Sequence, residues 1–141
     1  NSLQLDHNGK LWVLCYGDYF TSAPGGLFRI NTTSHAVELS LPFITAESPT
    51  RLCANTTRDT LYYLDYDVER MPANASTLPS SAFIPAGAHS FYGLGIRPNG
   101  EIFVTDAIDY SQRGHLLRYS ASGVLINDAV VGVIPGEIYF Y

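Results

Sequence analysis

The sequence predicts an all-β protein built from short antiparallel sheets, on three features of its 141 residues. Aromatic residues reach 13% against only 15% charged, with ten tyrosines, a balance that suits a pleated, half-buried surface. Short apolar runs rich in Val, Ile, Tyr and Phe alternate with turn signals such as Asn8-Gly9, Pro98-Asn99-Gly100 and Ser122-Gly123. No stretch carries a helical period of useful length.

The clearest unit runs from His89 to Gly136. It holds four apolar runs: FYGLGI, then EIFVTDA after Asn99-Gly100, GHLLRY from Gly114, and VLINDAVVG after Ser122-Gly123. Four strands in one up-and-down module of about 45 residues is the size of a β-propeller blade.

The pattern recurs upstream. Residues 1–43 carry SLQLDH, KLWVLCY, LFRI and AVELSLPF; residues 48–85 carry PTRLCAN, TLYYLDY, VERM and SAFIP. Second strands align as Leu11–Leu14, Leu61–Leu64 and Ile102–Thr105, and these apolar strands are expected to form the core between blades. Third strands align on Arg29, Arg70 and Arg118, expected to be structural residues that bond a turn or carbonyl of the adjacent blade. The expectation is therefore a partial β-propeller of about three four-stranded blades, at approximately 1–43, 44–87 and 88–132, with a closing strand at 137–141. Three blades are too few for a closed ring, which typically has about four to eight. The remaining blades of a larger propeller, or another copy of the chain, are expected at the open edges.

Composition excludes several classes. A formal net charge of −5, one lysine and scattered arginines give no cluster for nucleic-acid phosphates. No apolar run is long enough for a transmembrane helix. Cys15 and Cys53 both lie in strand-like runs and read as buried free thiols. His7, His35, His89 and His115 show no metal-ligand spacing, so no metal is expected; of the four, only His89 lies near the face described next. Nucleophile-elbow, Walker and dinucleotide-binding motifs do not occur. Neither a catalytic residue nor a cofactor is expected. Sequons at Asn31, Asn55 and Asn74 fall mostly at predicted turns and read as incidental.

In an up-and-down blade, the loops between second and third strands emerge on the same face as the connections between blades. That face collects Tyr16, Asp18, Tyr19, Asp65, Tyr66, Asp106, Asp109 and Tyr110, joined by the connections at 42–49, 85–91 and 133–137. Loops on a rigid scaffold concentrate binding residues, and Tyr with Asp suits sugars, corrinoids and other ligands with both polar and apolar faces. The alternative is that these tyrosines cover blade edges and the aspartates cap turns.

The string RPNGEIFVTDAIDYSQRGHLLRYSASGVLI (Arg97–Ile126), with Gly132-Val-Ile-Pro-Gly136 and a terminal aromatic run, resembles the YncE-like, surface-layer-type propellers of Bacteroidetes. The resemblance is close over 90–141 and looser over 1–85. It implies a seven-bladed ring in an exported protein of the periplasm or outer-membrane surface, of which this chain is the last three blades. The group's members include captors of cobalamin, and the resemblance, the blade repeat, the acidic low-charge composition and the aromatic-acidic loops together lead to the expectation of a non-enzymatic binding or interaction module. The alternatives are a propeller enzyme, such as a metal-dependent lactonase or a quinoprotein, and a purely structural scaffold.

Overall fold

The computed structural model describes residues 2–18, 20–44 and 47–140 and forms eleven strands in three antiparallel meanders. The first sheet holds β1 (Ser2–Leu5), β2 (Lys10–Asp18), β3 (Ala23–Asn31) and β4 (Val37–Pro42). The second holds β5 (Thr50–Ala54), β6 (Thr60–Asp65) and β7 (Asp67–Pro72). The third holds β8 (Phe91–Ile96), β9 (Ile102–Asp106), β10 (Arg113–Tyr119) and β11 (Leu125–Val133). The described residues close no ring.

Local chemistry sets the turns. Between β1 and β2, Gly9 takes φ 72°, and the buried Asp6 carboxylate accepts the N–H groups of Asn8 (2.8 Å) and Lys10 (2.9 Å). Its second oxygen accepts the Trp12 indole N–H at 3.0 Å, tying the turn to the core. A carboxylate removed from water is tolerated there because donors surround it.

β6 shows why the second strands are apolar without a break. Leu61 and Tyr63 enter one core with Trp12, Leu14 and Leu27 of the first sheet, whereas Tyr62 and Leu64 enter another with Leu94, Val104 and Leu117 of the third. Alternate side chains of one strand thus serve opposite faces, and both faces are covered. The innermost strands β1, β5 and β8 are neighbours across the sheet boundaries.

Two expectations about the strands are corrected. The middle sheet has three strands, not four: the SAFIP segment contributes a single bridge, Val68 to Ile84, with the Ile84 N–H donating to Val68 O at 3.1 Å. Pro79 and Pro85 bracket the segment and supply no N–H, so no ladder propagates. Residues 137–140 likewise form no strand. They run across the outer face of the third sheet, where Pro135 meets Gly114, Ile138 meets Gly95, and the Phe140 ring lies edge-on to Phe103 at 5.1 Å. Tyr141 lies outside the described residues.

The recurring arginines act within their own blade. Arg29 lies 3.7 Å from Glu38 and over the Trp12 ring, Arg118 pairs with Glu101, and the Arg70 guanidinium sits 3.6 Å from the Phe83 ring centroid.

The two outer faces differ. On the first sheet the register places Leu3, Leu5, Leu11, Val13, Phe28, Ile30 and Val37 on the side away from the Trp12 core. Leu3 (66%) and Val37 (58%) stand open to solvent there. The matching face of the third sheet carries the 135–140 segment.

Candidate functional site

Three of the tyrosines singled out by the sequence meet at one cavity of about 600 Å³: Tyr16 at the end of β2, Tyr66 between β6 and β7, and Tyr110 between β9 and β10. Each comes from a different sheet. Tyr92 and Phe91 from β8, Arg51 and Thr50 from β5, and Asp67 at the start of β7 add to the wall, with Ser48 and His89 from the blade connections. Tyr92 and Tyr110 pack edge to face at 5.7 Å, a geometry that ring quadrupoles favour.

Backbone conformation marks the same residues. Arg51 (φ 59°), Tyr66 (φ 59°) and Tyr110 (φ 64°) hold left-handed φ values that L side chains rarely adopt, and all three line the cavity. Such strain costs on the order of 1–3 kcal/mol per residue and clusters where side chains are aimed for function. Arg51 sits where the β5–β6 register slips between Thr50 and Cys53. This bulge turns an otherwise regular strand residue toward the loop face.

The aspartates have a different role. Asp106 is buried and accepts the N–H groups of Ser90 and Ile108, both at 2.8 Å, and the His89 ring at 2.7 Å. Burial alone would raise its pKa, but these bonds together outweigh burial and hold the carboxyl below the ordinary aspartate range. Asp109 accepts from Ser111 and Gln112, and Asp18 from Thr21 and the Phe20 N–H; both carboxyls are lowered by these bonds. Asp65 accepts the Ser48 N–H at 3.1 Å; burial, joined by Glu47 and Asp67, nonetheless pushes its pKa up. All four cap turns or blade connections, and none of them lines the cavity. Tyr19 lies outside the described residues.

Sequence reasoning did not single out Arg51 or Tyr92. Arg51 donates its Nε–H to the Tyr92 carbonyl (2.8 Å) and an Nη1–H to Glu137 (2.9 Å), and its guanidinium lies 5.1 Å from the Tyr92 ring centroid. It borders a second cavity of about 710 Å³, formed by the inner strands β1, β5 and β8 with residues 137–140. Arg51, Thr50 and Tyr92 thus stand between the two spaces. The register of the bulge has no signature in the string TRLCA. His89 stacks on Phe91 (5.9 Å, 10°), with its ring oriented by Asp106.

The two thiols form no disulfide. Burial pushes the Cys53 thiol up to about 12, which makes it a poor nucleophile at neutral pH. Among the described residues, no three His, Cys, Asp or Glu side chains converge as a metal would require.

No protein-family model matches the chain, and no curated protein is similar to it, so the YncE-like likeness of residues 90–141 remains a resemblance. Among solved structures, the chain is similar to a protein of Bacteroides thetaiotaomicron described as a quinonprotein alcohol dehydrogenase-like protein. The TM-score is 0.72 at 16% identity, over 92% of this chain and 33% of that one. The chain therefore spans about a third of that neighbour's length, and the likeness is one of fold. The fold is all-β, with three antiparallel sheets consistent with partial propeller blades, and their loop face carries a tyrosine-walled cavity.

Proposed function

We propose that this chain is a non-enzymatic ligand-binding segment of a larger β-propeller in an exported bacterial protein, and that its loop-face cavity takes a small glycan. The observation that carries the reading is the convergence of Tyr16, Tyr66 and Tyr110, each from a different sheet, on one space. Tyr66 is 74% exposed and Tyr110 51% exposed. Large amphipathic rings held open to solvent on strained backbone are poor choices for stability alone, and good ones for stacking on a sugar. Two χ angles per ring keep the ordering cost of binding low.

Binding is favoured over turnover because the neighbouring carboxylates are already engaged in capping bonds. Asp67 accepts the Ala86 N–H and Asp106 the N–H groups of Ser90 and Ile108, so neither is an idle base. The apolar outer face of the first sheet, with Leu3 and Val37 exposed, suits a further blade of the same propeller.

The test is calorimetric titration of the chain with a panel of oligosaccharides, beside Tyr66→Ala and Tyr110→Ala. The expected result is binding by the native chain and a loss of about tenfold or more in each variant, at unchanged unfolding midpoints. Binding that both variants retain in full would remove the cavity from consideration.

A further inference from the structure

We infer that the ligand of this cavity carries a carboxylate, as a uronic-acid sugar does, and that this carboxylate replaces Glu137 on Arg51. The inference rests on the glycan reading above and narrows it.

Arg51 borders the tyrosine cavity, yet its partner Glu137 borders only the neighbouring one. The guanidinium has five N–H donors, and the bonds to Tyr92 O and Glu137 use two of them. Its orientation is fixed by the strained φ of 59°, the Tyr92 carbonyl and the Tyr92 ring. A donor fork held in this way is preorganised for a planar carboxylate.

The resident anion is weakly held by comparison. The Glu137 side chain is 55% exposed and sits on a segment with no strand pairing, its other oxygen accepting from the Tyr139 hydroxyl. An exposed ion pair of this kind contributes little to stability, so a competing carboxylate exchanges with it at low cost. The geometry is that of an anion site with its own stand-in.

Charge and shape choose among anions. The chain carries a net charge of −5, and Asp67 lines the same cavity, which disfavours phosphates and other multiply charged groups. A bare carboxylate would leave Tyr16, Tyr66 and Tyr110 without a role. A pyranose ring bearing one carboxylate uses both walls: its C–H face against the tyrosines and its charge against Arg51.

The experiment titrates the full chain with a glucuronate trisaccharide and with the matching glucose trisaccharide, for the native protein, Glu137→Gln and Arg51→Gln. The expected result is at least tenfold tighter binding of the acidic sugar, declining as salt is raised. Glu137→Gln should tighten the acidic sugar about three- to tenfold and leave the neutral one unchanged. Arg51→Gln should bring the acidic sugar down to the neutral level. Equal affinity for both sugars, or an acidic affinity unmoved by Glu137→Gln, overturns the inference and leaves the glycan reading standing. Binding of neither sugar overturns both. Glu137 is exposed, so its variant remains informative even where Arg51→Gln fails to fold.

Discussion

Gly93 on β8 lies directly against the backbone of Gly136, so closely that a methyl group at Gly93 would strike the Gly136 carbonyl oxygen. The Thr105 hydroxyl donates to that same oxygen at 3.3 Å. Two strand positions further on, a Cβ at Gly95 would stand 2.9 Å from the Ile138 Cγ2. The glycines of FYGLGI therefore clear a path for the terminal segment across the third sheet.

Gly93→Ala should consequently destabilise the protein by about 1–3 kcal/mol, the usual cost of overpacking against backbone that cannot give way. Gly95→Ala should cost less, because its nearest contacts are side-chain atoms of Ile138 and Phe140 at 2.9 to 3.2 Å, whereas at Gly93 a backbone carbonyl oxygen lies 2.0 Å away. Urea unfolding of the two variants checks the order. Equal midpoints for Gly93→Ala and the native chain would show that the segment is not seated on β8.

Asp106 links stability to acid pH. Its carboxyl is held below the ordinary aspartate value of about 4 in the folded chain. Its contribution is thus fully present above pH ~4 and disappears as pH falls from there toward the lower folded value. Asp106→Asn leaves the Ser90 and Ile108 N–H groups with a weaker acceptor, at a cost of about 1–3 kcal/mol at pH 7. Stability measured from pH 2 to pH 7 should fall less steeply on the acid side in this variant than in the native chain.

Glu69 runs the other way. Burial raises its pKa, with Asp67, Asp65 and Glu47 adding repulsion, and among the described residues its Oε2 is buried without a hydrogen-bond partner. Ionised Glu69 therefore opposes folding at neutral pH, and protonation relieves this as pH falls through its raised folded value. Glu69→Gln should raise the urea midpoint at pH 7 and make no difference near pH 4. A lower midpoint at pH 7 would contradict this assignment.

How far the sequence could be read follows the strength of each local signal. In the third sheet, runs of alternating side chains between Asn99-Gly100, Gly114 and Ser122-Gly123 coincide with β8 to β11. In β6, covering by both neighbours explains an apolar run that alternation alone would not. SAFIP fails as a strand because strand propensity in Phe83 and Ile84 cannot replace the missing N–H groups of the flanking prolines. The terminal aromatics carry the pattern of a closing strand, whereas their partners are a sheet face, which strand periodicity does not distinguish.

The site divides in the same way. Tyr16, Tyr66 and Tyr110 were legible because loop positions repeat with the blades, and repeated loops share a face. The aspartates beside them shared the pattern, but hydrogen bonding to nearby backbone N–H groups satisfied them locally. Arg51 was invisible because its direction depends on a register slip that β5 takes only against β6. Tyr92 acquires its place only once Arg51 is turned onto its carbonyl and ring.

The unlike outer faces give the three sheets a direction. On one end Leu3, Leu5 and Val37 are exposed, and on the other residues 135–140 rest on the glycines and present Tyr139 to solvent. A surface meeting the first end would touch Leu3 and Val37, whereas one meeting the other would touch the 135–140 segment, with Tyr139 foremost. The two ends thus differ in what they present to a neighbour, and the Arg51–Glu137 pair lies beside the covered one.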